Sequence, residues 1–240
     1  KRYDEANLYT KKIIHDGLLG DLLYYQVDYS QRIDIPLKTF TNWIDDTDIF
    51  QYLGVHYVDL FYFLTGYIPD RLTAIGTDGI LKEHGINAYD SIHVSIIWSR
   101  DDGGECITTF NTNWIDPGCT SALSDQKYKL VGTKGRIEND HKNRGIELVT
   151  DESKIQHPNP YFSDYLFDAD GKKQFSGYGY QSIRQFIMDV RDFKSGKYEI
   201  RYFENKRPTF KQAIISTAVI ESVHKSLSNK SNWENINAQI

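Results

Sequence analysis

Hydrophobic positions along the chain recur with two different periods, and the change from one to the other marks its elements. Ala6, Tyr9, Ile13 and Ile14 repeat at helical spacing and Gly17 follows them, which predicts a helix over 3–16. From 22 to 31 the period falls to two. Leu23, Tyr25, Val27 and Tyr29 alternate there with Tyr24, Gln26, Asp28 and Ser30, the pattern of a strand with one more polar face. Residues 32–46 contain Pro36 and little periodicity, and read as a long loop of the kind that borders binding sites. Phe50, Leu53, Tyr57, Leu60, Phe61 and Leu64 restore the helical period, with Asp45, Asp46 and Asp48 placed to cap its start and Gly66 to stop it. Strand patterns follow at 71–77, 91–99, 105–114, 127–131, 136–139 and 146–150, and Asp101-Asp-Gly-Gly104 joins the second to the third as a hairpin. Residues 151–176 are polar, aromatic and rich in turns, a surface excursion. Two helices close the chain, one over 180–195 ended by Gly196 and one over 209–229 begun after Pro208.

Short-linked strands flanked by helices predict an α+β fold: an open, predominantly antiparallel β-sheet with helices packed on one face, and residues 1–240 as a single domain. The 240 residues are 40% hydrophobic and 14% aromatic, enough for a substantial core. A net charge of −5 without a long basic run argues against a nucleic-acid partner. No stretch of about 18 apolar residues is present, so no membrane span is expected. Cys106 and Cys119 form no Cys-x-x-Cys pair, which argues against a disulfide framework or a zinc knuckle and fits a reducing, cytoplasmic setting with no metal site. The N-terminus has neither an initiator methionine nor a leader pattern, and reads as an internal or trimmed start.

Candidate chemistry concentrates in two places. Tyr52, His56 and Asp59 fall on one face of the predicted helix, where a phenol, an imidazole and a carboxylate can exchange a proton with a bound hydroxyl. A histidine in an aromatic-rich helix equally fits a hydrogen-bonded core residue. Between Thr112 and Lys127, Asn113, Asp116, Ser124, Asp125 and Lys127 offer donors and acceptors beside the flat ring of Trp114, a combination suited to sugars and also to a polar turn. Lys142, Asn143 and Arg144, with Lys127 and Arg136, suit a carboxylate or phosphate, or a solvated loop.

The segment Tyr52-Leu-Gly-Val-His-Tyr-Val-Asp59 resembles the Asp-x-Gly-x-His-x-x-Asp helix in the second domain of the glucose–fructose oxidoreductase, inositol dehydrogenase and MocA family. Other landmarks resemble the family in the same order: Arg2-Tyr3 to Lys12-Ile13-Ile14, Gly17-Leu-Leu-Gly20, Val131-Gly-Thr-Lys-Gly-Arg-Ile137, Phe186 to Gly196, and Arg207-Pro-Thr209 before the helix from Phe210. The resemblance implies the substrate-binding and oligomer-forming half of a two-domain enzyme that moves a hydride between a secondary alcohol of a sugar or cyclitol and NAD or NADP. For that reaction His56 is the first candidate for the base; Tyr52 is a proton relay, a hydroxyl ligand or a core aromatic; Asp59 orients His56 or caps a buried donor, the structural role being favoured; and Asn113, Trp114, Asp116, Asp125 and Lys127 are the candidates for substrate binding. The resemblance also implies a homodimer or homotetramer formed through the sheet, whose predicted strands carry apolar residues on both faces, Tyr24, Ile97, Phe110 and Trp114 among them.

Two departures qualify this. Tyr52 stands where the family has an acidic residue, and a phenol that normally titrates near about pH 10 needs a depressed pKa or a relay to act as an acid or base. The N-terminal dinucleotide-binding half is also absent from this chain: no Gly-x-Gly-x-x-Gly occurs, Gly177-Tyr-Gly179 lacks the third glycine and a preceding apolar strand, and Gly132-Thr-Lys-Gly135 reads as a turn. No cofactor is expected on this chain alone. A carbohydrate-binding or assembly module without turnover, and glycoside cleavage through transient oxidation by a tightly held NAD, stand as alternatives.

Overall fold

The computed structural model describes the chain apart from residues 121–122, 144, 153, 158–164, 168, 176 and 239–240. Helix α1, Glu5–His15, starts where the Asp4 carboxylate accepts the Ala6 N–H, and buries Ala6, Asn7, Thr10 and Ile13. Strand β1, Leu22–Arg32, follows. The region predicted as loop contains a π turn at Ile35–Thr39 and a 3-10 turn at Ile44–Asp46. A second π turn, Phe50–Gly54, runs into α2, Val55–Thr65, which Gly66 ends in the left-handed conformation at φ 76°.

Beyond it come β2 (Ile68–Thr77), a short α3 (Ile80–Glu83), β3 (Ser91–Ser99) and β4 (Glu105–Asp116), the last two joined by the expected Asp-Asp-Gly-Gly hairpin. Next are β5 (Ser124–Gly132), β6 (Gly135–Asp140) and β7 (Gly145–Thr150). The predicted excursion carries three short strands, β8 (Lys154–Gln156), β9 (Tyr165–Phe167) and β10 (Lys173–Phe175), and the rest of it lies partly outside the described residues. The chain closes with α4 (Tyr178–Lys194), α5 (Ile200–Lys206), α6 (Phe210–Ser228) and β11 (Glu234–Asn235), of which α5 and β11 have no counterpart in the sequence pattern.

Nine strands form one open sheet in the order β11-β2-β3-β4-β1-β5-β6-β7-β8. Every neighbouring pair is antiparallel except β1 and β4, while β9 and β10 pair separately. The α+β expectation therefore holds, with one parallel pair at the centre.

Strand alternation decides what each face presents. On the helix side Tyr25 stacks on Phe61 with centroids 5.1 Å apart, Trp98 meets Phe61 edge-on at 4.8 Å, and Tyr29 meets Tyr57 edge-on at 5.4 Å. All five rings are buried, with Phe110, Leu130, Ile137, Val219 and Val223 around them. The Tyr128 hydroxyl ties α1 to this face by donating to Asn7 Oδ1 at 3.1 Å and bonding Thr10 Oγ1 at 2.8 Å.

The other face is open and graded. Ile97, Ile107, Tyr24 and Val131 follow one another across β3, β4, β1 and β5 as an apolar row. The next rows are polar: Ser95, Thr109, Gln26, Lys129 and Glu138, then His93, Asn111, Asp28, Lys127 and Asp140. Phe110 and Trp114 belong to the covered face, and the exposed Ile75 beside His93 is an apolar member of the otherwise polar rows.

Candidate functional site

Asp48 is the one residue of the acidic trio that caps the functional helix segment: its Oδ1 accepts the Gln51 N–H at 2.8 Å and its carbonyl accepts the Tyr52 N–H at 3.0 Å. Asp45 instead accepts the Asn87 N–H at 3.0 Å. Between Asp48 and α2 the backbone is a π turn, closed by the Val55 N–H reaching back five residues to the Phe50 carbonyl. A π turn carries an extra residue per turn relative to an α-helix, so the expected single face of Tyr52, His56 and Asp59 is twisted apart at its first member. Gly54 permits this packing, since a Cβ there would lie 2.4 Å from Phe50 Cδ2.

Tyr52 is half-buried, with its ring edge-on to Phe40 at 4.8 Å and beside Trp43 at 6.4 Å. His56 is exposed at the surface of α2. Partial burial of its ring, then the positive charge of Lys1, hold its pKa below the ordinary value, and Asp59 opposes them weakly. At neutral pH the imidazole is therefore neutral and able to take a proton. Asp59 is engaged elsewhere, accepting Arg2 Nε at 3.0 Å and Nη2 at 2.6 Å as a bidentate pair, the structural role expected for it.

Polar groups that the sequence pattern missed lie on the same sheet face as α2. The Tyr57 hydroxyl donates to Gln126 Oε1 at 3.2 Å, and the Lys1 ammonium bonds that same oxygen while sitting 4.9 Å from the centre of the Tyr57 ring and 5.7 Å from that of Tyr29. Gln31 Nε2 donates to Ser124 Oγ at 3.3 Å, and its buried Oε1 has no hydrogen-bond partner among the described residues. Burial, reinforced by neighbouring phenols, raises the pKa of both Tyr29 and Tyr57, so they remain hydroxyl donors.

The predicted sugar cluster divides differently. Asn113 donates to Ser30 Oγ at 2.7 Å, Lys127 sits across from Asp28, and Asp125 sits across from Ser30, all on the open face away from α2. Asp116 lies beside Asp125, and burial followed by that like charge raises its pKa. Trp114 is a correction: its ring is fully buried and its Nε1 donates to the Tyr89 carbonyl at 2.7 Å, which leaves no surface for a sugar. Strand parity causes the division. β5 begins at Ser124 rather than at Lys127, so Ser124, Gln126 and Tyr128 face α2 while Asp125, Lys127 and Lys129 face away.

The described cations of this predicted cluster, Lys127, Arg136 and Lys142, are committed to carboxylates. Lys142 pairs with Asp125, Lys127 approaches Asp125 at 3.6 Å, and Arg136 pairs with Glu138 and Glu147, both at 2.7 Å, while Arg144 lies outside the described residues. Of these groups Lys127, Glu138 and Glu147, with their neighbours Gln26, Asp28 and Lys129, border a concavity of about 650 Å³.

Neither glycine turn singled out in the sequence has the geometry of a dinucleotide cradle. A Cβ at Gly132 would lie 2.2 Å from the Leu19 carbonyl, and the Lys134 N–H already donates to that carbonyl, so the 132–135 turn is packed against the chain rather than open to a pyrophosphate. Gly177 at φ 114° does open α4, and the strand before it, Lys173–Phe175, is not an apolar one. That strand is three residues long and pairs antiparallel with β9, unlike the parallel unit that presents a phosphate to a helix start. No helix among the described residues is long and apolar enough to cross a membrane.

The profile of the GFO/IDH/MocA C-terminal domain matches residues 8–138, more than half of the chain. The chain belongs to the GFO/IDH/MocA oxidoreductase family through that domain. No curated protein matches it. Among solved structures it is similar to an inositol dehydrogenase homolog from Azotobacter vinelandii complexed with NADH and myo-inositol, with a TM-score of 0.72, 12% identity, and coverage of 98% of this chain and 62% of that one. An oxidoreductase from Sinorhizobium meliloti aligns with a TM-score of 0.71 and 15% identity over 97% of this chain and 62% of that one. The WlbA dehydrogenase from Bordetella pertussis, in complex with NADH and UDP-GlcNAcA, aligns with a TM-score of 0.65 and 16% identity over 98% and 62%. At these identities the likeness shows the fold. The chain spans about 62% of the length of each of these structures.

Proposed function

We propose that this chain is the substrate-binding domain of a nicotinamide-dependent oxidoreductase acting on a secondary alcohol of a sugar, cyclitol or sugar derivative. The observation that carries the reading is the surface-reaching His56 on α2, in the position the family resemblance marks and under the charge of the Lys1 ammonium that also bonds Gln126. Oxidation of an alcohol requires its hydroxyl proton to leave, and a neutral imidazole within reach accepts it. The half-buried Gln126 and Ser124 offer hydrogen-bond partners for other hydroxyls of a polyol, held from beneath by the buried Tyr57 hydroxyl and Gln31 amide. The hydride acceptor, NAD or NADP, belongs to a part of the enzyme outside this chain. Support for such a part comes from α4, where Ile183, Phe186, Ile187 and Val190 form a helical stripe that is 36% exposed or more at each position.

Asn113, Asp116, Asp125 and Lys127 stay in the proposal only as groups of the open face, where an assembled partner rather than the substrate of His56 would meet them. In the full-length enzyme, His56→Ala should lower turnover roughly 100-fold or more with little change in stability, as expected for loss of a general base. Folding lost without a specific kinetic defect would instead make His56 a structural residue.

One observation favours a second reading, a carbohydrate-binding or assembly module without turnover. Tyr52, in the family's acidic position, is packed edge-on against Phe40 as a structural aromatic would be. Tyr52→Phe keeps that packing and removes the hydroxyl, so a full-length protein whose kinetics change in this variant excludes the module.

A further inference from the structure

We propose that His224 is a positioning residue for the Tyr52–His56 segment, holding it through Asp48. The inference rests on the reading of that segment as the reacting end of the domain, and adds how it is held. Asp48 divides its carboxylate between two elements: Oδ1 accepts the Gln51 N–H at 2.8 Å, and Oδ2 meets Nε2 of His224 on α6 at 2.5 Å. Neither Ile49 nor Gly54, at the starts of the π turn and of α2, makes a side-chain cap bond. The carboxylate therefore carries the capping of a turn whose i→i+5 bonding is the less stable form of helix.

Helix α6 is a firm reference for such a hold. Ile215, Val219 and Val223 are fully buried, and His224 follows directly on the last of them. The Asp48 side chain is only 12% exposed, so a lost His224 leaves Oδ2 without its charged partner in a partly dry setting. The contact thus links the packed α6 to the backbone that carries Tyr52 and leads to His56.

The charges around His224 leave Asp48 as its controlling partner. On α6, Glu221 pairs with Lys225 at 2.7 Å; from β11, Glu234 accepts the Asn229 side-chain amide at 2.8 Å; these groups border a concavity of about 490 Å³ beside the imidazole. Asp45 and Asp46 precede Asp48 on the facing turn. The hydrogen bond to Asp48 raises the His224 pKa, against partial burial. The hold is therefore complete below the ordinary histidine range and weakens as pH rises through the raised value. His56 works in the opposite sense, neutral above its lowered value. Activity should accordingly be bell-shaped in pH, with His56 on the acid limb and His224 on the alkaline limb.

Amide hydrogen exchange on the 240-residue chain, resolved by mass spectrometry, tests this without reference to turnover. His224→Ala should raise exchange over residues 50–55 about 10-fold or more, while the sheet and the rest of α6 keep their protection. His224→Gln, which retains a donor, should restore part of it. Unchanged exchange over 50–55 in His224→Ala overturns the proposal, as does an equal rise throughout α6 in both variants. If His56→Ala leaves turnover intact while His224→Ala still loosens 50–55, the functional reading fails and the hold by His224 stands.

Discussion

Replacing Gly54 by alanine isolates the backbone feature on which the site depends. A Cβ at this position would lie 2.4, 2.6 and 2.8 Å from Cδ2, Cε2 and Cγ of Phe50, distances at which something must move. The Phe50 ring has no route to solvent, being fully buried and edge-on to Phe110 at 5.8 Å. Overpacking of this kind costs about 1–3 kcal/mol. Against it stands the lower chain entropy of alanine, worth about 0.5–1 kcal/mol at a helical glycine. The net expectation is a destabilisation of roughly 1–2 kcal/mol, which for a chain of this size lowers Tm by roughly 2–8 °C. Calorimetric unfolding of Gly54→Ala measures it, and the same substitution in a Phe50→Leu background identifies the cause, because a narrower side chain that can turn aside should abolish most of the added cost. A Gly54→Ala protein that melts at or above the parent temperature, or a cost undiminished beside Phe50→Leu, would show that the π turn does not require glycine for packing.

Three further outcomes follow from the geometry. Lys1→Ala should raise the His56 pKa toward its ordinary value, because the ammonium that opposes protonation is removed, and a histidine NMR titration that shows no upward movement would discard that electrostatic account. Arg2→Ala breaks the bidentate pair with Asp59, whose side chains are 11% and 31% exposed, and should cost roughly 1–3 kcal/mol in chemical denaturation, less than for a fully buried pair. Light scattering at micromolar concentration should give a dimer or tetramer built on the row Ile97, Ile107, Tyr24 and Val131, and a monomeric mass would mean that this short apolar row is tolerated in water.

Much of the fold was legible because helices and strands that bury one face must repeat their apolar residues with the matching period. α1, β1, β3, α4 and α6 follow the predicted spans within a few residues. The pattern failed where burial is weak or the element is short. α5 contains no buried residue and β11 spans two residues, so neither writes a period into the sequence. The π turns at 35–39 and 50–54 are invisible for another reason: they alter hydrogen-bond reach by one residue while leaving composition unchanged.

The site was legible as a helix and illegible as a constellation. His56 and Asp59 could be placed relative to each other because they share an α-helix, while the pairing of Asp59 with Arg2 depends on a residue far away in sequence. The polar groups facing α2 are set by strand parity, and a strand begun too late leaves the residues before it without an assigned face. Reading β5 from Lys127 left Ser124, Asp125 and Gln126 as loop, whereas the longer strand places Ser124 and Gln126 on the covered side and Asp125 with Lys127 on the open one. The sequence does contain the signal that fixes parity. Tyr128 and Leu130 are the apolar members of that strand, both buried against the helices, and counting back from them in twos reaches Gln126 and Ser124. Trp114 yields to the same count, since Phe110 and Thr112 are buried four and two residues before it and place its ring in the core. In a one-sided sheet, therefore, a polar residue near a candidate base counts toward the site only when it stands an even number of residues from the strand's buried apolar positions.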